Sequence, residues 1–176
     1  MNEIKENSIG VFIGRLSPIH LGHQKIIEKM ITNHGNENSI IFIGSCNTSL
    51  SIRVPFSYRD RSRWVRRIFK DVRIIGMPDV DLGDAAWIEM LDDYINAVFP
   101  GKIPYFYGGS TEDIKFFYEH GNRKVVIVDR QELLISATNV RKLILLGESI
   151  ETVVDKRIAK EVVEIFNKAM KRLDVL

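Results

Sequence analysis

Short apolar runs alternate with longer segments of mixed polarity along the chain. Five runs rich in β-branched and aromatic residues predict buried strands at residues 8–13, 39–44, 72–76, 102–108 and 124–129. Between these runs, apolar residues recur at the spacing of one helix face. This alternation predicts an α/β fold, a Rossmann-like doubly wound parallel sheet of about five strands. We expect a single domain over residues 1–176, whose C-terminal helical segment covers about residues 148–176.

The first strand runs into a tight turn and then a helix. Gly14 removes the Cβ where the backbone must turn, Pro18 stiffens the turn, and helical spacing begins at Leu21. His20 and His23 therefore lie one turn apart at a helix N-terminus, where free N–H groups and the helix dipole favour an anion. This indicates a phosphate site, but a metal pair or two surface histidines would give the same spacing.

A second strand-to-helix junction follows the fifth strand. Ser136 or Thr138 can cap the helix, and Arg141 lies about one turn further along. Hydroxyls, free backbone N–H groups and a guanidinium together are typical of a polyphosphate clamp. Capping and surface exposure explain the same residues without any ligand, so both interpretations stay open on residue type alone.

Residues 14–23 resemble the HxGH signature of the nucleotidylyltransferase superfamily, with Leu16 in place of a phenylalanine. Their Gly-Arg opening and His-Leu-Gly-His ending are most similar to nicotinamide mononucleotide (NMN) adenylyltransferases of the archaeal and Nudix-fused types. Residues 135–141 are similar to the second signature, Ile-Ser-x-Thr-x-x-Arg. Residues 44–61 resemble the block Gly-Ser…Asn-Pro-Phe-Thr-x-x-Glu-Arg, with Val54 and Asp60 substituted. Because the chain ends after this pattern, we expect no Nudix activity.

This resemblance implies an enzyme that transfers AMP from ATP to NMN, giving NAD and pyrophosphate. Its motifs imply catalytic roles for His20, His23 and Arg141. They imply ATP binding by Gly14, Arg15, Gly22, Ser136 and Thr138, and NMN binding by Trp87, Asp81, Gly108 and Arg61. Mg²⁺ is expected to enter on ATP, with no separate protein metal site. If the histidines donate as charged imidazolium groups, activity should fall as they lose their protons with rising pH.

The sequence signal is less specific for the residues that would bind the nicotinamide ring. By residue type alone, Trp87 is more simply a core residue than a stacking platform, and the resemblance is what implies stacking on the nicotinamide ring. Asp79 and Asp81 straddle the spacing at which the family places an acid before the tryptophan. We assign Asp81 to this role.

Composition limits the cellular location and the kinds of site that this chain can have. The 176 residues carry a net charge of +2 and one cysteine, Cys46, which excludes an internal disulfide and a cysteine-rich zinc site. No apolar run reaches membrane-spanning length, and residues 1–7 lack the apolar core of a signal peptide. We therefore expect a cytoplasmic protein without a membrane or nucleic-acid partner, and a homo-oligomer.

Three other functions remain open at this stage. The acceptor could be pantetheine phosphate or a polyol phosphate on the same fold. The chain could be a non-catalytic nucleotide-sensing module. The basic run over residues 53–73 could bind RNA, although its charge is more typical of a solvated helix face.

Overall fold

The computed structural model describes residues 7–81, 83–121, 123–129 and 135–174. Most of the N-terminal stretch that argued against a signal peptide lies outside them. The strands are β1 (Ser8–Gly14), β2 (Ser39–Ile43), β3 (Arg73–Gly76), β4 (Ile103–Gly108) and β5 (Lys124–Ile127). They form one sheet in the order β3-β2-β1-β4-β5, and every neighbouring pair is parallel. The predicted doubly wound parallel sheet is confirmed.

Six helices accompany the strands within the described residues. They are α1 (Leu21–His34), α2 (Tyr58–Ile68), α3 (Gly83–Val98), α4 (Thr111–Glu119), α5 (Ala137–Leu145) and α6 (Lys156–Arg172). No helix in this part of the chain is both long and apolar enough to cross a membrane.

Local capping sets most helix starts. Ser57, Ser110 and Ser136 each accept a hydrogen bond from the backbone N–H three residues later, at the starts of α2, α4 and α5. In α3, which begins at Gly83, Asp84 lies inside the first turn and is not the capping residue. An acid in the first turn still complements the positive end of the helix dipole.

The two faces of the sheet bury separate apolar clusters because successive strand side chains point to opposite faces. Phe12, Ile41 and Tyr107 pack on one side, in a cluster that includes residues of α1, α2, α5 and α6. Val11 and Phe106 pack on the other side, with residues of α3 and α4. This three-layer arrangement covers both faces, as a parallel sheet requires.

The strand order reverses direction between β1 and β4. The chain winds outward from β1 to β3, then crosses to β4 on the other side of β1. A crevice therefore opens at the carboxyl ends of β1 and β4, which is where open α/β sheets bind ligands.

Candidate active site

A cavity of about 830 Å³ occupies this crevice. Eight of the twelve predicted site residues line it, contributed by the loop after β1, the start of α1, the end of β4 and the start of α5. They are Gly14, Arg15, His20, His23, Gly108, Ser136, Thr138 and Arg141. Tertiary structure thus brings the two motifs, more than a hundred residues apart in sequence, to a single concave site.

The two histidines form a reciprocal cap at the start of α1. His20 Nδ1 accepts from the His23 backbone N–H at 3.3 Å, and His23 Nδ1 accepts from the His20 N–H at 3.4 Å. Their rings stack with centroids 3.6 Å apart. Because each Nδ1 accepts a hydrogen bond, the proton of each neutral ring resides on Nε2. The backbone geometry therefore selects two Nε2–H donors in a residue pair that lines the cavity.

Arg141 connects the second motif to the first. Its Nη1 donates to the Ser17 carbonyl at 2.6 Å, and its Nη2 donates to Thr138 Oγ1 at 3.0 Å. Ser136 caps α5, with its hydroxyl oxygen accepting from the Asn139 N–H at 3.1 Å. The guanidinium is thus held between the loop after β1 and the N-terminus of α5, facing the same cavity.

Three guanidinium groups surround the cavity. Arg15, Arg53 and Arg141 all line it. Burial lowers the pKa of Arg141, and the neighbouring charges of Arg15 and Arg53 lower it further. The pKa of Arg15 is lowered by burial first and by Arg53 second, against an opposing effect of Asp79. Arginine keeps its charge despite such shifts, so a multiply charged anion would relieve this repulsion.

Arg53 lines the cavity, although by sequence it is predicted only as part of the basic run. A signal for it existed, since Arg53 stands two residues before Pro55 in the block that resembles the family. Asp113 was also missed. It lines the cavity from α4, and its carboxylate accepts from the Gly109 N–H at 3.2 Å.

The two glycines predicted to bind ATP and NMN, Gly22 and Gly108, lie in different surroundings. Gly22 lies buried in the first turn of α1 rather than on the cavity wall. A Cβ on Gly108 would come within 2.3 Å of Ile114 Cγ2, so the absence of a side chain allows α4 to pack closely on β4.

Arg61 lies beneath the cavity rather than on its wall. The structure buries it to 1% exposure and turns its guanidinium to the backbone carbonyls of Arg15, Gly44 and Ser45. This placement does not support direct contact with NMN, because these carbonyls already engage both terminal nitrogens.

Trp87 lies on α3, just outside the cavity. Its half-buried ring packs edge-on against Phe116 at 5.7 Å between centroids and also contacts Phe117, which lines the cavity. Of the two candidate acids, Asp79 and not Asp81 contacts the loop after β2. Asp79 accepts from Ser45 Oγ at 3.2 Å and from Thr48 Oγ1 at 2.9 Å.

Most of the basic run is engaged in the fold. Arg63 and Arg67 on α2 pair with Glu161 on α6, and Arg73 donates to the Glu37 carbonyl. Arg53 lines the cavity and Arg61 is buried, whereas Arg59, Arg66 and Lys70 remain exposed. Among the described residues, no group of three or more histidine, cysteine or acidic side chains could hold a metal ion.

Known proteins share this fold and sequence pattern. The chain is 28% identical over 170 residues to a nicotinamide-nucleotide adenylyltransferase of Pyrococcus abyssi, covering 93% of this chain and 86% of the relative. It is 27% identical over 165 residues to the enzyme of that name from Saccharolobus solfataricus, covering 90% and 91%. These names agree with the resemblance found in the motifs.

A solved structure gives the same fold. It is a bifunctional NMN adenylyltransferase/ADP ribose pyrophosphatase from Francisella tularensis, complexed with AMP and a manganese ion, at a TM-score of 0.72 and 21% identity. The match covers 96% of this chain and 53% of that one, so this chain spans about half the length of the bifunctional enzyme. The cytidylyltransferase-like family model matches residues 11–164. The chain therefore belongs to the cytidylyltransferase-like family of nucleotidyltransferases.

Proposed function

We propose that this chain is an adenylyltransferase that transfers AMP from ATP to NMN, giving NAD and pyrophosphate. The observation that carries the proposal is the cavity itself, where two imidazole donors, three guanidinium groups and the N-termini of α1 and α5 converge. Such a set of donors suits a polyphosphate. The acceptor is inferred from the relatives named nicotinamide-nucleotide adenylyltransferase.

Catalysis in this site rests on orientation and charge stabilisation. A phosphate oxygen of NMN attacks the α-phosphorus of ATP. The bond from that phosphorus to the bridging β-oxygen breaks, and its electron pair leaves with pyrophosphate. No covalent enzyme intermediate is needed for this displacement.

Seven of the residues that line the cavity then have a chemical role. His20 and His23 donate Nε2–H hydrogen bonds to phosphate oxygens on which charge develops. Arg141 holds the β- and γ-phosphates beside the N-terminus of α5 and stabilises the leaving pyrophosphate, while Arg15 and Arg53 add positive charge from the loops after β1 and β2. Ser136 and Thr138 shape the ATP site. For NMN, we propose that Trp87 supplies the face on which the nicotinamide ring stacks.

Mg²⁺ fits this scheme as part of the nucleotide substrate. Mg²⁺ is usually held by phosphate oxygens and water with only one or two carboxylates. The described residues offer Asp113 at the cavity and no cluster of three potential ligands. We therefore propose that the ion arrives on ATP and neutralises phosphate charge there.

The test is direct. Purified protein is incubated with ATP, Mg²⁺ and either NMN or nicotinate mononucleotide, and the dinucleotide and pyrophosphate are separated by chromatography. We expect dinucleotide formation that falls by about 10²–10³-fold in Arg141→Ala, as for loss of a charge-stabilising donor. The matched control is Lys142→Ala, which removes the neighbouring exposed charge on α5 outside the cavity and should retain activity.

Other outcomes separate the alternatives. ATP binding without dinucleotide from either mononucleotide would contradict the proposal and lead to a screen of pantetheine phosphate and polyol phosphates. Binding without turnover of any acceptor would indicate a nucleotide-sensing module. The cytoplasmic location and the homo-oligomeric state stay predictions.

A further inference from the structure

Arg61 is a buried cation held almost entirely by backbone. Its Nη1 donates to the Arg15 carbonyl at 2.6 Å and to the Gly44 carbonyl at 2.7 Å, and its Nη2 donates to the Ser45 carbonyl at 2.9 Å. No carboxylate oxygen is hydrogen-bonded to it within the described ranges. Burial lowers the pKa of this guanidinium, because removal from water disfavours its charged form.

The carbonyls that it binds belong to two separate loops. One follows β1 and carries Arg15; the other follows β2 and begins at Gly44. Each loop contains a residue other than glycine in the left-handed region, Leu16 at φ 50° and Ser45 at φ 52°. Side chains disfavour this conformation, so surrounding contacts must hold it. Arg61 contacts the residue before Leu16 and Ser45 itself.

The helix that carries Arg61 is well packed against the rest of the fold. Arg61 lies in the first part of α2, whose Trp64 is fully buried and packs edge-to-face on Phe56 with centroids 5.0 Å apart. Ion pairs from Arg63 to Glu161 tie the same helix to α6. A guanidinium projecting from such a well-packed helix can fix the positions of the two loops whose carbonyls it binds.

We propose that Arg61 is a positioning residue that sets the place of the Arg15 guanidinium, and thereby the affinity and orientation of ATP. The connection is short, because Arg61 holds the carbonyl of the same residue whose side chain lines the cavity. The proposal replaces a role in NMN contact by one exerted through Arg15. Its kinetic test rests on the proposed adenylyl transfer, whereas its binding test requires only ATP.

The planar shape of the guanidinium is central to this role. Two terminal nitrogens, fixed relative to each other, donate to three carbonyls on two loops. A lysine ammonium is a single point on a flexible stem and cannot reproduce this spacing. Arg61→Lys therefore keeps a long basic side chain while removing the planar geometry, which makes it the informative substitution.

A double-mutant cycle between Arg61→Lys and Arg15→Ala tests the connection. Dissociation constants of a non-hydrolysable ATP analogue are measured by calorimetry, and kcat and KM are measured with ATP and NMN. We expect Arg61→Lys alone to lower kcat/KM by about 10–100-fold, as for a small misplacement of a catalytic group. In the Arg15→Ala background, the same substitution should have little further effect.

Arg123→Lys is the matched control. Arg123 is another largely buried arginine, bonded to both oxygens of Asp92 at 2.6 Å, and it does not line the cavity. Its substitution should lower the melting temperature without changing ATP affinity. Additive effects of Arg61→Lys and Arg15→Ala, or a stability loss with unchanged ATP affinity in Arg61→Lys, would overturn the proposal.

Two further measurements keep the test decisive. If Arg61→Lys does not fold, hydrogen exchange of the wild-type protein takes its place: residues 14–18 and 44–48 should open together with the first turns of α2, and independent opening of either loop would refute the proposal. If the wild-type protein binds the ATP analogue but forms no dinucleotide, the adenylyl-transfer proposal fails, while the cycle in binding affinity still tests Arg61.

Discussion

His20 and His23 cap each other, each imidazole accepting the backbone N–H of the other residue at 3.3–3.4 Å. Protonation of either ring would place an N–H where the backbone N–H needs an acceptor, and the cap would be lost. We therefore expect kcat/KM to fall when acid pH protonates either ring, and not to fall as pH rises from neutral to mildly alkaline. This reverses the expectation for charged imidazolium donors.

His20→Asn is the control for this pH profile. Asparagine is a good N-cap residue and does not titrate, so the variant keeps an acceptor for the His23 N–H and leaves only His23 to be protonated. The fall in kcat/KM at acid pH should therefore be shallower in the variant than in the wild type. An unchanged fall at acid pH would indicate titration of substrate phosphates instead, and a rate that falls with rising pH would restore the charged-donor mechanism.

Arg53→Ala should weaken ATP binding. Arg53 lines the cavity and its charge adds to those of Arg15 and Arg141, so its removal takes away one attraction for the triphosphate. We expect KM for ATP to rise about tenfold, as for loss of a hydrogen bond to a charged group. Steady-state kinetics with varied ATP measures this. Arg59→Ala removes an exposed arginine outside the cavity and should leave KM unchanged; equal effects of the two substitutions would mean that only net charge matters.

Trp87→Leu tests whether the indole contacts the nicotinamide ring. If the ring stacks there, KM for NMN should rise about tenfold, in line with the loss of aromatic stacking, while KM for ATP stays the same. Trp87→Phe should retain most of the affinity. Phe116→Leu removes the edge-on contact with Trp87 and reports on packing alone. Parallel losses in Trp87→Leu and Phe116→Leu, without a selective change for NMN, would assign the tryptophan to the core.

Asp155→Ala should destabilise the fold through α6. Asp155 caps this helix by accepting from the Arg157 backbone N–H at 2.9 Å, and loss of such a cap costs about 1 kcal/mol. The side-chain pair with the exposed Arg157 adds little. Asp155→Asn retains a capping oxygen and should cost less. Urea unfolding at pH 7 gives both values.

The same cap should depend on pH. Hydrogen bonds from Arg157 lower the pKa of Asp155 in the folded protein, so its stabilising contribution is present above the unfolded value of about 4 and is lost as pH falls through the lower folded value. The stability gap between wild type and Asp155→Asn should therefore narrow at about pH 3. A gap that is constant between pH 7 and pH 3 would contradict this assignment.

Much of the fold could be predicted from patterns among residues that are close in sequence. Runs of β-branched residues and the helical spacing of apolar residues depend on neighbours within a few positions, so the five strands, and Ser136 as one of two candidate caps of α5, could be predicted along the chain. The topological rule for parallel sheets then placed both motifs at one edge. The local pattern and this rule together predict that His20 and Arg141 share a cavity, as they do in the structure.

Arg53 and Arg61 mark what only the tertiary structure decided. They lie eight residues apart in one basic run, yet Arg53 lines the cavity while Arg61 is buried beneath it. The environment of a charged side chain is set by groups far along the chain, here the loops after β1 and β2, and no local pattern encodes those distances. For the same reason, no local pattern indicated that the folded backbone would bring Asp79, rather than Asp81, to Ser45 and Thr48.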